Sequence, residues 1–112
     1  MRFINLLNLK NKPCVKQAIA EKGELTLGRV VATPGAIGAL ERNNQSHMEF
    51  IGRHRKGDWG DIPDDDKKLN DSAMENNDER VLSSYQLKDG TKIWIVTEWD
   101  RSVTTILLPD EY

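Results

Sequence analysis

Val81-Leu82-Ser83-Ser84-Tyr85-Gln86-Leu87, Lys88-Asp89-Gly90, and Thr91-Lys92-Ile93-Trp94-Ile95-Val96-Thr97 form the stretch on which the fold turns. Two β-rich runs flank Asp89-Gly90, and that dipeptide is a strong short-range hairpin signal because it tolerates the backbone of a tight turn. Ile93 to Val96 are apolar at four successive positions. A strand of that kind is covered on both faces, so it reads as the central strand of a meander. Trp99 to Ser102 turns the chain into a third run, Val103 to Leu108, which Pro109 ends.

Before Arg80 the pattern is helical. Thr33-Pro34 is a helix start, with Thr as N-cap and Pro in the first turn. Ala36, Ile37 and Leu40 then share a face, and Asn43-Asn44 end it. Gly35 and Gly38 weaken this helix by roughly 1 kcal/mol each relative to Ala, so packing must hold it. Ser46-His47-Met48-Glu49 is a capping box opening a helix to about Lys56, with Phe50, Ile51 and either His47 or His54 facing inward. Gly57 suits its C-terminus. Pro63-Asp64 starts a third helix with a narrow apolar stripe of Leu69, Ala73 and Met74, which places it on the surface. Further upstream, Pro13 and Gly23 bracket an expected helix over Cys14–Lys22. Met1–Leu9 reads as a short strand or a frayed end, and Leu25–Ala32 as a candidate fourth strand. The predicted fold is therefore α+β: a small antiparallel meander with three to four short helices packed on one face. Residues 1–24 form an N-terminal extension and 25–112 a single domain.

Composition narrows the function classes. The 112 residues are 38% hydrophobic and 30% charged, with a mean hydropathy of -0.62; this suits one globular domain. No apolar stretch approaches the ~20 residues of a membrane span, and the N-terminus lacks the small-residue cleavage site of a signal peptide. The lone Cys14 allows no internal disulfide, in keeping with a reducing, cytoplasmic setting. Net charge is -2 but segregated. Residues 1–57 hold ten Lys+Arg against four Asp+Glu, a balance of +6, while residues 58–79 hold two against nine, a balance of -7. The near-neutral total argues against general nucleic-acid binding.

Each chemical candidate has a plainer counterpart. Asp58, Asp61, Asp64, Asp65 and Asp66 carry oxygen ligands for a divalent cation, but their spacing is not that of a calcium loop, and acids at a helix start complement its dipole. No metal or cofactor is read from the sequence. His47 and His54, seven residues apart, share a helix face. With Arg53, Arg80 and Tyr85 they supply the acid, base and phosphate-binding groups of a small toxin-type ribonuclease. A histidine beside Phe50 is more commonly a core or surface residue. Arg53-His54-Arg55-Lys56 is a basic cluster that also suits a helix C-terminus. Nucleophile elbows and phosphate loops are missing. Trp59 in its Gly-Asp loop and Trp99 in its turn are the aromatics placed to meet a partner.

Three strings carry a family resemblance: Leu27-Gly28-Arg29-Val30-Val31-Ala32-Thr33-Pro34-Gly35-Ala36; His54 with Gly57-Asp58-Trp59-Gly60-Asp61; and Asp89 to Glu98 with Asp100-Arg101-Ser102 and the ending Leu107 to Tyr112. Over about residues 25–112 the chain resembles a family of small bacterial proteins labelled "plasmid-related" or hypothetical. The resemblance implies an accessory gene of plasmids or other mobile elements and carries no catalytic residues over. Trp99 stands where the family pattern leads one to expect a small residue.

The expected function is a non-enzymatic cytoplasmic protein-interaction or accessory protein, its contacts drawn from Trp59, Trp99, Asp64, Asp65 and Asp66. The alternatives are the ribonuclease built on His47, Arg53, His54, Arg80 and Tyr85, and a nucleic-acid-binding module without chemistry. A protein partner is expected, and no membrane.

Overall fold

Hairpin formation follows the Asp89-Gly90 signal. In the computed structural model, which describes residues 4–5, 24–76 and 79–112, a three-residue loop closes through Leu87 N–H donating to Thr91 O at 2.7 Å. The element order is β1 (Ile4–Asn5), β2 (Arg29–Ala32), α1 (Pro34–Arg42), α2 (His47–Arg55), α3 (Asp64–Asn76), β3 (Val81–Gln86), β4 (Lys92–Thr97), β5 (Val103–Leu107) and a 3-10 turn (Pro109–Glu111). The helix expected over Cys14–Lys22 lies outside the described residues.

The α+β class and the C-terminal meander are present, but the sheet is mixed. Its order is β1-β2-β5-β4-β3, and β2 runs parallel to β5, with Val30 beside Thr104 and Ala32 beside Ile106. A parallel neighbour needs a long crossover. Here that connection holds all three α-helices of the described residues and the β3–β4 hairpin, so adjacency in sequence could not reveal it. The strand expected over Leu25–Ala32 is also shorter, pairing only from Arg29, with Gly28 before it at φ +66. β4 is central to the meander, while β5 holds the middle of the whole sheet.

Alternation then sorts the side chains. Strand register puts Val81, Ser83 and Tyr85 on one face with Ile93, Ile95, Thr97, Thr104, Ile106, Val30 and Ala32. The apolar members form the main core with Ala36, Ala39 and Leu40 of α1, Phe50 and Ile51 of α2, and Ala73 of α3. The predicted N-caps hold α1 and α2: Thr33 Oγ1 accepts from Ala36 N–H at 3.1 Å and Ser46 Oγ from Met48 N–H at 3.1 Å. The expected capping box is not completed, because Glu49 N–H donates to Ser46 O and its carboxylate accepts from Gln45.

The outer edge of β3 is already occupied, although no strand of the described residues pairs there. Asn70 of α3 donates to Leu82 O at 2.7 Å and accepts from Leu82 N–H at 3.2 Å. Two residues on, Ser84 N–H donates to Trp59 O at 3.1 Å and Ser84 O accepts from Asp61 N–H at 2.7 Å. Only glycine fits between them. Gly60 has φ +77, and a Cβ there would lie 2.1 Å from Ser84 O. A free edge is a template for unwanted strand pairing, and α3 with the Trp59–Asp61 loop removes it.

Candidate functional site

The core face carries a line of polar side chains that ends at a backbone carbonyl. Thr104 Oγ1 lies 2.7 Å from Leu27 O, and a carbonyl only accepts, so Thr104 donates there. Its single proton is then used. Thr97 Oγ1, 2.7 Å away, must donate to Thr104. His54 Nε2, 2.9 Å from Thr97 Oγ1, must donate in turn. Nδ1 is left as the acceptor of the Ser83 hydroxyl at 2.5 Å. One direction of donation, Ser83 to His54 to Thr97 to Thr104 to Leu27 O, satisfies every group and fixes the imidazole as its Nε2–H tautomer.

His54 is 0% exposed and meets Trp59 edge-on at 5.7 Å. Burial, reinforced by the positive charge of Arg101, pushes its pKa from 6.5 down to about 3, so the ring is neutral at physiological pH. Both nitrogens are committed inside the protein. In this conformation His54 does not reach a substrate.

The rest of the expected ribonuclease set comes together only in part, Arg53 meeting Tyr85 while Arg80 and His47 lie apart. Tyr85 is buried, donates its hydroxyl to Asp58 O at 2.6 Å, and has its pKa pushed up to about 12 by burial. Arg53 lies over the Tyr85 ring at 4.6 Å and pairs with Asp58 at 2.7 Å. That pairing raises the arginine's pKa and lowers the aspartate's. Arg80 lies five residues from Tyr85 along an extended strand, about 16 Å, and donates to the Tyr112 hydroxyl at 2.9 Å. His47, half-buried, opens α2 at the end opposite His54. In the basic cluster, Arg55 lies 3.6 Å from Glu24, so both of its arginines face acids. Among the described residues no group of three or more His, Cys, Asp or Glu is placed to hold a metal ion.

The open counterpart is a cleft between α3 and the start of β3. It encloses about 310 Å³ and is lined by Asp66, Leu69, Asn70, Ala73, Arg80 and Leu82, with Ser72 and Glu79 at its rim. The predicted apolar stripe of α3 is only partly correct. Ala73 is buried and Met74 packs on the core, but Leu69 is 67% exposed. The inward position goes to Asn70, because the edge of β3 needs an amide there.

Arg101 fixes the far end of the cleft. Its guanidinium donates to Ala73 O and Glu79 O at 2.7 Å each, and to Glu98 O and Trp99 O at 3.2 and 3.3 Å. Arg101 itself adopts φ +61, a left-handed conformation uncommon for a non-glycine residue. Gly28 makes the turn possible: at φ +66 it lies so close that a Cβ would sit 2.4 Å from both Arg101 O and Ser102 O. The turn therefore presents Trp99, 63% exposed, beside the C-terminal half of α3.

The partner-binding residues expected from the sequence thus divide. Asp64, Asp65 and Asp66 form the exposed first turn of α3, and Trp99 adjoins the opposite end. Trp59 is buried, with Nε1–H donating to Asp71 at 2.9 Å; as the lid over His54 it is a structural residue here. Leu69, Leu82, Glu79 and Arg101 were not singled out for this role. An apolar residue on an otherwise polar helix was the available signal for Leu69, whereas Arg101 had none, since its carbonyl partners come from distant parts of the chain. No family model, curated protein or solved structure matches this chain, and no helix of the described residues is long and apolar enough to cross a membrane.

Proposed function

We propose that this protein is a non-enzymatic cytoplasmic interaction module, an accessory protein of a bacterial plasmid or other mobile element, and that it grips a protein partner along α3, the cleft beside it and the Trp99 turn. One observation carries the reading. Leu69, 67% exposed, lines the cleft, and Trp99, 63% exposed, stands on the turn that Arg101 ties to α3 through Trp99 O and Ala73 O, while His54 and Tyr85 are buried with their polar atoms bonded inside the protein. Large apolar residues at a concave, polar-rimmed site are the usual anchors of an interface. The bacterial setting rests on the sequence resemblance alone.

The test replaces Ser72, at the cleft rim, with a photo-crosslinking amino acid and irradiates in a bacterial lysate. Met48 on α2, also 63% exposed, is the control position. The expected result is a discrete protein adduct from position 72 that is missing from position 48 and lost on Trp99→Ala. Equal labelling from both positions, or adducts to nucleic acid alone, would overturn the reading.

A further inference from the structure

We infer that the occupant of the α3–β3 cleft is a basic, amphipathic helix of a partner protein, recognised through side chains. This rests on the interaction reading above and goes on to name the partner's chemistry.

Strand addition is disfavoured at this edge. Both backbone groups of Leu82 are taken by Asn70, and those of Ser84 by Trp59 and Asp61. An extended peptide would find the middle of this edge, Leu82 and Ser84, already paired, which works against the mode in which a peptide extends a sheet. What the cleft offers is side chains. Leu69, Ala73 and Leu82 supply its apolar floor. From Asp66 to Ala73 is seven residues, about 10.5 Å at 1.5 Å each, which spans two turns of a helix lying alongside. Helices dock in grooves of that length through apolar anchors at i, i+3 or i+4, and i+7.

Charge sets the polar face of the occupant. Asp66 and Glu79 both line the cleft, and Asp65 is on the same side of α3 by its 100° step per residue. The ion pairs among the described residues are Arg53–Asp58, Arg55–Glu24 and Lys92–Asp61, so none of these cleft acids has a cation of its own. Lys67 and Lys68 step round to the other sides of α3 and do not line the cleft. Arg80, the one basic lining residue, is turned to the Tyr112 hydroxyl and ring. Arg101, at the far end, is buried and spends its guanidinium on four backbone carbonyls, so the two lining acids set the exposed charge and complementarity calls for Lys or Arg flanking Leu-type side chains.

The experiment titrates the isotope-labelled full chain with three synthetic 14-residue peptides, read by amide and indole NMR. One is a Leu/Lys amphipathic helix, the second its Leu/Glu counterpart, and the third a Leu/Lys scramble of identical composition. The inference predicts shifts confined to residues 65–73, 79–82 and 99–101 with the first peptide. It also predicts at least tenfold weaker binding of the other two, and a tenfold loss in Asp66→Lys/Glu79→Lys. Tight binding of the Leu/Glu peptide, equal binding of the scramble, or shifts centred on α2 would sink it. Should cross-linking from position 72 capture a partner while the Leu/Lys helix fails to bind, the interaction reading stands and this inference alone falls.

Discussion

His54 and Leu69 occupy places that their residue types would not suggest. The titratable histidine is sealed at the centre of the molecule, and the leucine stands in solvent beside a cleft. In the interior, each polar group has its donor or acceptor supplied by a neighbouring strand or helix, so chemistry has been spent on holding Ser83, Thr97 and Thr104 in one alignment. At the cleft, Asn70 takes the inward position on α3, and its amide seals the sheet edge. Leu69 is left outward. Reactivity of a residue type therefore says little until its hydrogen-bond partners are known, and exposure of an apolar side chain says more.

The two regions should break differently. The largest effect is expected in the interior. His54→Ala removes the ring against Trp59 and strands the Ser83 and Thr97 hydroxyls, and should cost about 3 kcal/mol in a denaturant melt. Arg101→Met leaves four carbonyls short of a donor and should cost roughly 2–3 kcal/mol by the same measurement. It should also loosen the Trp99 turn, visible as increased amide exchange there.

Acid sharpens the contrast. The folded-state pKa of His54 is about 3 against an ordinary value of 6.5. Between those values the unfolded chain binds the proton and the folded chain does not. The contribution is fully present above about pH 6.5 and is lost as pH falls toward 3, by at most about 1.4 kcal/mol per pH unit. The difference in stability between wild type and His54→Gln should shrink over that window, and a difference independent of pH would show that His54 titrates normally.

The smallest expected effect on stability is at the cleft. Leu69→Lys should shift the melt by no more than about 0.5 kcal/mol, since an exposed side chain leaves little behind. A large loss would mean that Leu69 belongs to the core and that the comparison is misdrawn.

Local signals made much of this legible. Thr33-Pro34 and Ser46 cap the helices they announce, although Glu49 does not complete the expected box, Asp89-Gly90 turns the hairpin, and Ile93, Ile95 and Val96 are buried. Non-local contacts set the rest. The parallel β2–β5 pairing joins residues more than 70 apart, and Arg101's importance comes from carbonyls contributed by α3, Glu79 and its own turn. Asn70 reads as an ordinary polar helix residue until the edge it covers is in place, and Trp59 reads as a loop aromatic until His54 is found beneath it. The exposure of Asp64–Asp66 and Trp99, the ends of the proposed surface, was open to sequence reasoning because charge and turn position are local properties. The lining of the cleft, which takes Leu69 from α3 and Leu82 from β3, depends on how α3 crosses the edge of the sheet.

The interior polar chain serves structure, and the α3–β3 face is proposed to serve binding. The most direct measurement is the yield of partner cross-linked from position 72, below the melting temperature of every variant, in chains that also carry Leu69→Lys or His54→Gln. The account predicts that Leu69→Lys abolishes the adduct and that His54→Gln leaves its yield unchanged. Loss of the adduct in folded His54→Gln, with Leu69→Lys still capturing partner, would contradict it.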